Sequence, residues 1–249
     1  TINFYNNTPV GSYSTPGILI TGTDRFLGIA LTIDAGIAVT GALFNGVGVA
    51  TVTSSTIGGF TVVVLDLVAP SLGTHTLDLT FSAPTRLAGN IVLYNSVDQS
   101  TPMSANVALG GNTALVTIAP TTTTTNSIVF HAFGTESFPI LYTAGAGEII
   151  VSQTVAGQLQ SGIENQSVGT PALVTSQVNL SLVTLWADIA FGINGIASVS
   201  PGGGHVIQDN GVPLPQEPAL NFKDYFTVTD NAGVSTDVDI DVTGLANDN

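Results

Sequence analysis

The residues of this chain best suited to chemistry are aspartates gathered near its C-terminus. Asp237, Asp239 and Asp241 alternate with apolar residues, so a β-strand would place the three carboxylates on one face. Ca²⁺ prefers about 6–8 oxygen ligands in a loop-rich geometry, and Asp224, Asp230, Asp237 and Asp239 are the candidate metal ligands. Two other interpretations remain open: a solvated face that protects a sheet edge from aggregation, and a contact surface for a basic partner.

Other pairs of residues could support acid–base catalysis. Asp66 and Asp78 fall on consecutive predicted strands and could act as the two carboxylates of a glycoside hydrolase. The histidines His75, His131 and His205 are far apart and have no metal-binding spacing, and the Gly-x-Ser-x-Gly motif of serine hydrolases is absent. We interpret the histidines as ordinary polar or core residues. We predict no catalytic residue, no required cofactor and no enzymatic activity.

Two further segments allow a functional and a structural interpretation. Trp186 with Phe191 could form a sugar-stacking platform, but a lone tryptophan in an apolar strand is more often a core residue, which we favour. Residues 121–125 are five consecutive threonines. They could form a glycosylated stalk, but we favour a polar hairpin loop or an exposed strand edge.

The charge of the chain disfavours two classes of partner. Only 3 of its 249 residues are lysine or arginine, and the formal net charge is −14. Nucleic acids and anionic membrane surfaces are bound through basic side chains, so neither is an expected partner. Charged residues make up only 8% of the chain, far fewer than the roughly 25% of ordinary soluble domains. Such a surface suits a protein packed in an assembly or standing in seawater-like salt, where charge contributes little. The absence of cysteine excludes disulfides and thiolate chemistry.

Short strand-like runs dominate the chain, and turn residues separate them. In the run from His75 to Phe81, Leu77, Leu79 and Phe81 share one face of the predicted strand. Many such strands predict an all-β fold, either a sandwich or a barrel. We expect an antiparallel β-sandwich with a small C-terminal β module. The predicted organisation is an N-terminal arm (1–17), the sandwich (18–197), a Gly/Pro-rich linker (198–218) and a small acidic β-hairpin module (219–249).

Two resemblances extend this interpretation. Segments such as 92–102, Val-Leu-Tyr-Asn-Ser-Val-Asp-Gln-Ser-Thr-Pro, and 186–192, Trp-Ala-Asp-Ile-Ala-Phe-Gly, resemble a jelly-roll-type domain of phage structural proteins and bacterial surface proteins, over about residues 15–195. The segments 226–233 and 238–244, followed by Asn247 and Asp248, resemble the closing half of a cadherin-like or VCBS-type repeat. In such repeats a terminal Asn-Asp element can contribute to calcium binding at a module junction.

The resemblances imply a structural role. We expect a phage virion component, either a capsid decoration protein or part of a fibre or tail. It would be displayed outward and associate with copies of itself as a trimer or in lattice contacts. The expected arm (1–17) would add a strand to a neighbour's sheet. The alternative is a secreted adhesin or filament subunit on a bacterial cell surface or outside the cell. Expected partners are copies of the chain and other virion or surface proteins, with host-surface glycans as a further candidate.

The domain organisation predicts the effect of a truncation. Deleting residues 212–249 should leave a folded sandwich, because an isolated two-stranded hairpin is only marginally stable and contributes little to a separate core. The truncated protein should retain a cooperative thermal transition, which thermal melting measures. It should lose attachment or assembly, which is measured by whether it sediments together with the virus particle. Unfolding of the truncated protein would instead mean that the tail belongs to the main core.

Overall fold

A computed structural model describes residues 1–136 and 140–196 in full, together with the backbone of four short strands beyond them. The chain divides into two units, Thr1–Ser200 and Pro201–Asn249. Among the described residues there is no helix, and hence none that is long and apolar enough to cross a membrane. The all-β fold predicted from the sequence is confirmed.

Fifteen strands form the described part of the first unit. They are β1 (Ile2–Ser14), β2 (Ile18–Ile20), β3 (Phe26–Asp34), β4 (Val39–Phe44), β5 (Val47–Gly48), β6 (Ala50–Ile57), β7 (Phe60–Val68), β8 (Gly73–His75), β9 (Leu77–Tyr94), β10 (Val107–Ile118), β11 (Ser127–Thr135), β12 (Tyr142–Ala144), β13 (Ile149–Ala156), β14 (Leu159–Val168) and β15 (Ser176–Ile193).

These strands make two antiparallel sheets that pack face to face, as predicted for a sandwich. The first sheet has the order β5-β4-β9-β3-β7-β6, with β1 also paired to β9. The second has the order β10-β15-β11-β14-β13, with β12 also paired to β15. A small additional sheet joins β2 and β8. Each sheet is built from one continuous stretch of chain, so we call residues 2–94 the first half and residues 107–193 the second half.

The long strands β9 and β15 curl each sheet on itself. Along one side, the early part of β9 pairs with β4 and its later part with β3. In the same way β15 pairs first with β12 and then with β11. Each half therefore encloses a core of its own in addition to the face that it presents to the other half.

The two halves meet in a shared core that contains five aromatic rings. Phe26, Phe60 and Tyr94 come from the first half, and Phe130 and Phe191 from the second. The rings of Phe130 and Phe191 stack with centroids 5.0 Å apart, and Tyr94 packs edge-on against Phe130 at 6.3 Å. The Tyr94 hydroxyl donates to Asn165 Oδ1 across the interface at 2.8 Å. Such aromatic packing contributes beyond the apolar area that it buries.

The registers show that the two halves share one strand arrangement. Ala50 pairs with Asp66 across β6 and β7, and Ile149 pairs with Asn165 across β13 and β14. In both pairs a one-residue bulge follows the second residue of the edge strand. The strands β9 and β15 are both 18 residues long and have nearly the same pattern of buried and exposed positions. Every position of one half can therefore be compared with an equivalent position of the other.

The predicted N-terminal arm is part of this fold. Residues 2–14 form β1 and pair with β9 of the same chain, from Ile2 opposite Ile91 to Ser14 opposite Asp78. Phe4 is buried, and its ring occupies the space that a side chain at position 89 would need, which explains Gly89. The segment is thus a strand of its own sandwich, a correction to the expectation that it would reach a neighbouring sheet.

The described backbone of the second unit forms two short antiparallel pairs. The strands β16 (Gln208–Asp209) and β17 (Val212–Pro213) form one, and β18 (Phe226–Asp230) and β19 (Thr236–Ile240) form the other. The second pair lies within the predicted hairpin module (219–249). The predicted linker (198–218) falls mostly outside the described residues, and the domain boundaries remain predictions.

The shared core predicts a large effect of removing one aromatic ring. Replacing Phe130 with alanine should lower the free energy of unfolding by about 3–5 kcal/mol, because a fully buried side chain leaves a cavity between the sheets. Leu19→Ala, at a position that is 63% exposed, should change it by no more than about 0.5 kcal/mol. Denaturant unfolding measures both, and equal losses would argue against the shared core as the main link between the halves.

Candidate functional site

The most unusual chemistry of the described residues is a cluster of ionisable side chains inside the second half. His131 lies on β11, Glu164 on β14 and Asp188 on β15, and all three are 0% exposed. The register places His131 directly opposite Glu164. Asp188 lies on the other neighbouring strand, and Ser176 begins that same strand. We refer to these four residues as the histidine cluster.

The imidazole of His131 bridges the two carboxylates. Its Nδ1 lies 3.2 Å from Glu164 Oε2, and its Nε2 lies 3.3 Å from Asp188 Oδ2. Ser176 Oγ is 2.9 Å from the same Nδ1 and donates to Glu164 Oε2 at 3.3 Å. The edge of Phe133 packs against the imidazole at a centroid distance of 5.6 Å. The cluster thus ties together the three central strands of the second sheet.

The two carboxylates keep the imidazole protonated. Burial lowers the pKa of His131, but its hydrogen bonds and charge interactions with Asp188 and Glu164 outweigh that effect and raise the pKa to about 9. Burial raises the pKa of Asp188 above its ordinary value, although His131 opposes the shift. At neutral pH both imidazole nitrogens therefore carry protons and donate one to each side.

A third carboxylate, outside the cluster, connects it towards the surface. Glu148, in the loop before β13, is partly exposed and accepts hydrogen bonds from the Gln177 backbone N–H at 3.1 and 3.0 Å. Burial raises the pKa of Glu148, the Gln177 hydrogen bond opposes this, and the nearby charges of Glu164 and His131 act in opposite directions. Glu148 is thus electrostatically coupled to the buried groups.

The geometry of the histidine cluster suits a proton rather than a metal ion. The two ring nitrogens point to opposite sides, so Glu164 and Asp188 do not converge with His131 on one point. In the fully described ranges, 1–136 and 140–196, no group of three or more His, Asp or Glu residues has an arrangement that could hold a metal ion. With no exposed atom, the cluster is also closed to any substrate in this conformation.

The first half shows that the fold does not require this cluster. The positions equivalent to His131, Glu164 and Ser176 are Ile29, Leu65 and Leu77, all buried in one continuous apolar core. The position equivalent to Asp188 is Gly89, which Phe4 covers.

In the second half the polar groups divide the corresponding core into two smaller clusters. His131 follows Val129 and precedes Phe133 on the inward face of β11, and those two residues belong to different apolar clusters. Glu164 Oε1 has no hydrogen-bond donor among the described residues. A buried polar atom without a partner costs about 1–3 kcal/mol, so the cluster is not the most stable filling for this space.

The structure does not bring together the other residues considered for catalysis. Asp66 lies on β7 and Asp78 on β9, and β3 runs between these two strands. Burial raises the pKa of Asp66, whereas Asp78 is exposed and accepts a hydrogen bond from Ser14. His75 ends β8, and its Nε2 lies 2.9 Å from the Leu72 carbonyl oxygen just before that strand. The remaining histidine, at position 205, lies outside the described residues.

The proposed sugar platform is excluded by the direction of its two rings. Trp186 packs into the core of the second half and donates from Nε1 to Thr113 Oγ1 at 2.9 Å. Phe191 points to the opposite face of β15, where it joins the shared core. The threonine run 121–125 is held as a loop, since Thr123 and Thr124 both donate to Asn194 Oδ1 at 3.2 Å.

The predicted calcium ligands are only partly covered by the described backbone. Asp230 pairs with Thr236 in the hairpin of β18 and β19, and Asp237 and Asp239 pair with Thr229 and Thr227. Their side chains, and all of Asp224, lie outside the described residues. Calcium binding there remains a prediction.

Sequence reasoning treated His131 as an ordinary residue and missed its partners. A signal was present, because Asp188 is the single charged residue in the otherwise apolar segment 185–193. A lone carboxylate in a strand that is buried on both faces must find a partner inside the protein. The burial of Glu164 is harder to predict, because Ser161, Asn165 and Gln166 give its strand the half-polar pattern of a solvent-exposed one.

Comparison with known proteins identified no relative of this chain. No protein-family model, curated protein or solved structure matches the chain. The resemblances to jelly-roll-type and cadherin-like domains therefore remain expectations.

The histidine cluster predicts that stability falls as pH rises through the alkaline range. The pKa of His131 is about 9 in the folded protein and about 6.5 when unfolded, so folding favours the protonated form. The resulting stabilisation is complete below about pH 6.5 and is lost as the pH rises through about 9. A shift of this size corresponds to about 3 kcal/mol. Urea unfolding at pH 6.5 and pH 9.5 measures the loss.

A triple variant provides the control for this prediction. His131→Ile and Glu164→Leu introduce the residues of the first half, and Asp188→Val removes the remaining charge. This variant should fold with similar or greater stability, since apolar replacement of a buried ionic group is often neutral or favourable, and the loss above pH 7 should disappear. Asp188→Ala alone should cost about 3–5 kcal/mol, because it leaves a buried charge imbalance. An unchanged pH profile in the triple variant would contradict the assignment.

Proposed function

We propose that this chain is a non-enzymatic structural protein of a phage particle, serving as a capsid decoration protein or as part of a fibre or tail. The observation that carries the proposal is the complete enclosure of the histidine cluster. Its acid–base groups bind one another across β11, β14 and β15 and expose no atom. They act on the rigidity of the sandwich rather than on a substrate.

The surface supports the same proposal. Both described arginines bind acceptors of their own chain: Arg25 donates to the carbonyl oxygens of Pro70 and Gly22, and Arg86 pairs with Asp34. With almost no free positive charge, the protein is poorly suited to polyanions. A rigid body with few charges is suited to repeated contacts in a protein assembly.

Enzymatic activity is the first point to test. Purified protein should release no reducing sugar from bacterial polysaccharides, because Asp66 and Asp78 lie on strands that β3 separates and do not form a catalytic pair. Asp66→Ala, Asp78→Ala and His75→Ala variants should assemble like the unmodified chain wherever they fold. Turnover that one of these substitutions abolishes would refute the proposal.

The location is tested on particles and cells from the same culture. Mass spectrometry of gradient-purified particles should detect peptides of this chain at a constant ratio to the major capsid protein across the gradient peak. Peptides released only by protease treatment of intact cells would instead support the alternative, a secreted surface adhesin or filament subunit. Recovery in neither fraction would refute both locations.

A further inference from the structure

A group of exposed apolar residues surrounds an irregular stretch of β15. Leu182 and Val183 lie where the pairing with β10 shifts register, between Thr113 opposite Thr184 and Leu115 opposite Asn179. Their side chains are 51% and 65% exposed, and Leu115 and Leu141 are 42% and 65% exposed. Leu141 lies beside them, because its carbonyl oxygen accepts from the Ser181 N–H at 3.0 Å. We call Leu115, Leu141, Leu182 and Val183 the leucine face.

The strands around the leucine face carry no exposed charge. The whole of β10 and β12 lacks Asp, Glu, Lys and Arg, and the single such residue of β15 is the fully buried Asp188. Two copies of a chain with net charge −14 repel each other over most orientations. Strands without an exposed charge are where a second copy can approach at a low electrostatic cost, and the Glu148 carboxylate bound to the Gln177 N–H lies at the start of β15, away from Leu182 and Val183 in sequence.

The first half serves as an internal comparison for this surface. The positions equivalent to Leu115, Leu182 and Val183 are Ser12, Ala83 and Pro84, which are small or polar. The charged residues Asp78 and Arg86 of the first half are replaced at the equivalent positions of the second half by the uncharged Gln177 and Leu185. The same strand positions thus carry charged and small side chains in one half and uncharged, strongly apolar side chains in the other. The difference comes from the side chains rather than from the fold.

The edge strand of this surface is also open to association. Protein sheets commonly protect their edges with proline or charged residues, and β1 of the first half contains Pro9. Its equivalent, β10, has neither over its 12 residues. Near one end, the outward carbonyl oxygen of Leu109 is bound by the Ser55 hydroxyl at 2.7 Å. The leucine face lies towards the other end.

We propose that the leucine face is the contact between copies of this chain. The inference rests on the proposed structural function and assigns its self-association to one surface of the second half. A copy that docks there buries apolar side chains without burying a carboxylate. The association is therefore driven by apolar burial and opposed by the long-range repulsion between the two acidic chains.

The test uses matched substitutions in the two halves of the full-length chain. Leu182→Asp places a charge in the leucine face, and Ala83→Asp places the same charge at the equivalent exposed position of the first half. In sedimentation velocity over a concentration series, the unmodified chain and Ala83→Asp should associate alike, whereas Leu182→Asp should bind itself at least about tenfold more weakly. Thermal melting shows whether each variant is folded, and Leu182→Ser provides a milder second variant.

Ionic strength gives a second, independent readout. Raising NaCl from about 0.02 M to about 0.5 M shortens the screening length severalfold, so association through an uncharged face should strengthen. A contact made by ion pairs would weaken instead.

Each other outcome overturns the inference in a recognisable way. A monomer at all concentrations refutes the contact between copies, while detection of the chain in purified particles would still support the proposed function. Association that Ala83→Asp reduces and Leu182→Asp leaves unchanged places the contact on the first half. Polysaccharide turnover would refute the proposed function whatever the oligomeric state.

Discussion

The packing of two curled sheets against each other is the interaction on which the rest of the molecule depends. Each sheet is closed by its own long strand, β9 or β15, and neither half contributes a strand to the other's sheet. What joins them is side-chain packing, chiefly the rings of Phe26, Tyr94, Phe130 and Phe191. Because this contact uses one face of each sheet, the opposite faces are free to differ. The differences between the halves are concentrated there.

The enclosed face of the second half illustrates that freedom. A continuous apolar core fills the first half, whereas His131, Glu164 and Asp188 interrupt the equivalent core in the second. A buried ionic network often contributes less to stability than apolar packing of the same volume. It also disfavours other orders of the strands, because a different neighbour would leave a buried charge without its partner. The cluster links β11, β14 and β15 through one imidazole.

Alternating and apolar runs predicted the all-β sandwich, because strand periodicity is a local property that survives in the final fold. The N-terminal segment was misjudged because Pro9 and Pro16 suggested an extended arm, while its true partner, β9, lies more than 60 residues away in sequence. The similarity of the two halves was not predicted, because it lies in the pairing registers and the bulges. Few equivalent positions have identical residues; examples are Thr85 with Thr184 and Ala88 with Ala187. The histidine cluster required knowing which strands are adjacent, and no spacing in the sequence reveals that.

The contiguity of each half in the chain has a consequence for biosynthesis. Residues 2–94 hold every strand of the first sheet, so that sheet can close while the second half is still on the ribosome. Until residues 107–193 emerge, the apolar side of β3 and β7 that later faces the second sheet has no cover. A second half from another nascent copy fits this surface as well as the chain's own. Exchange of halves between copies is thus a misassembly that this architecture permits, with the connection 95–106 spanning from one copy to the other.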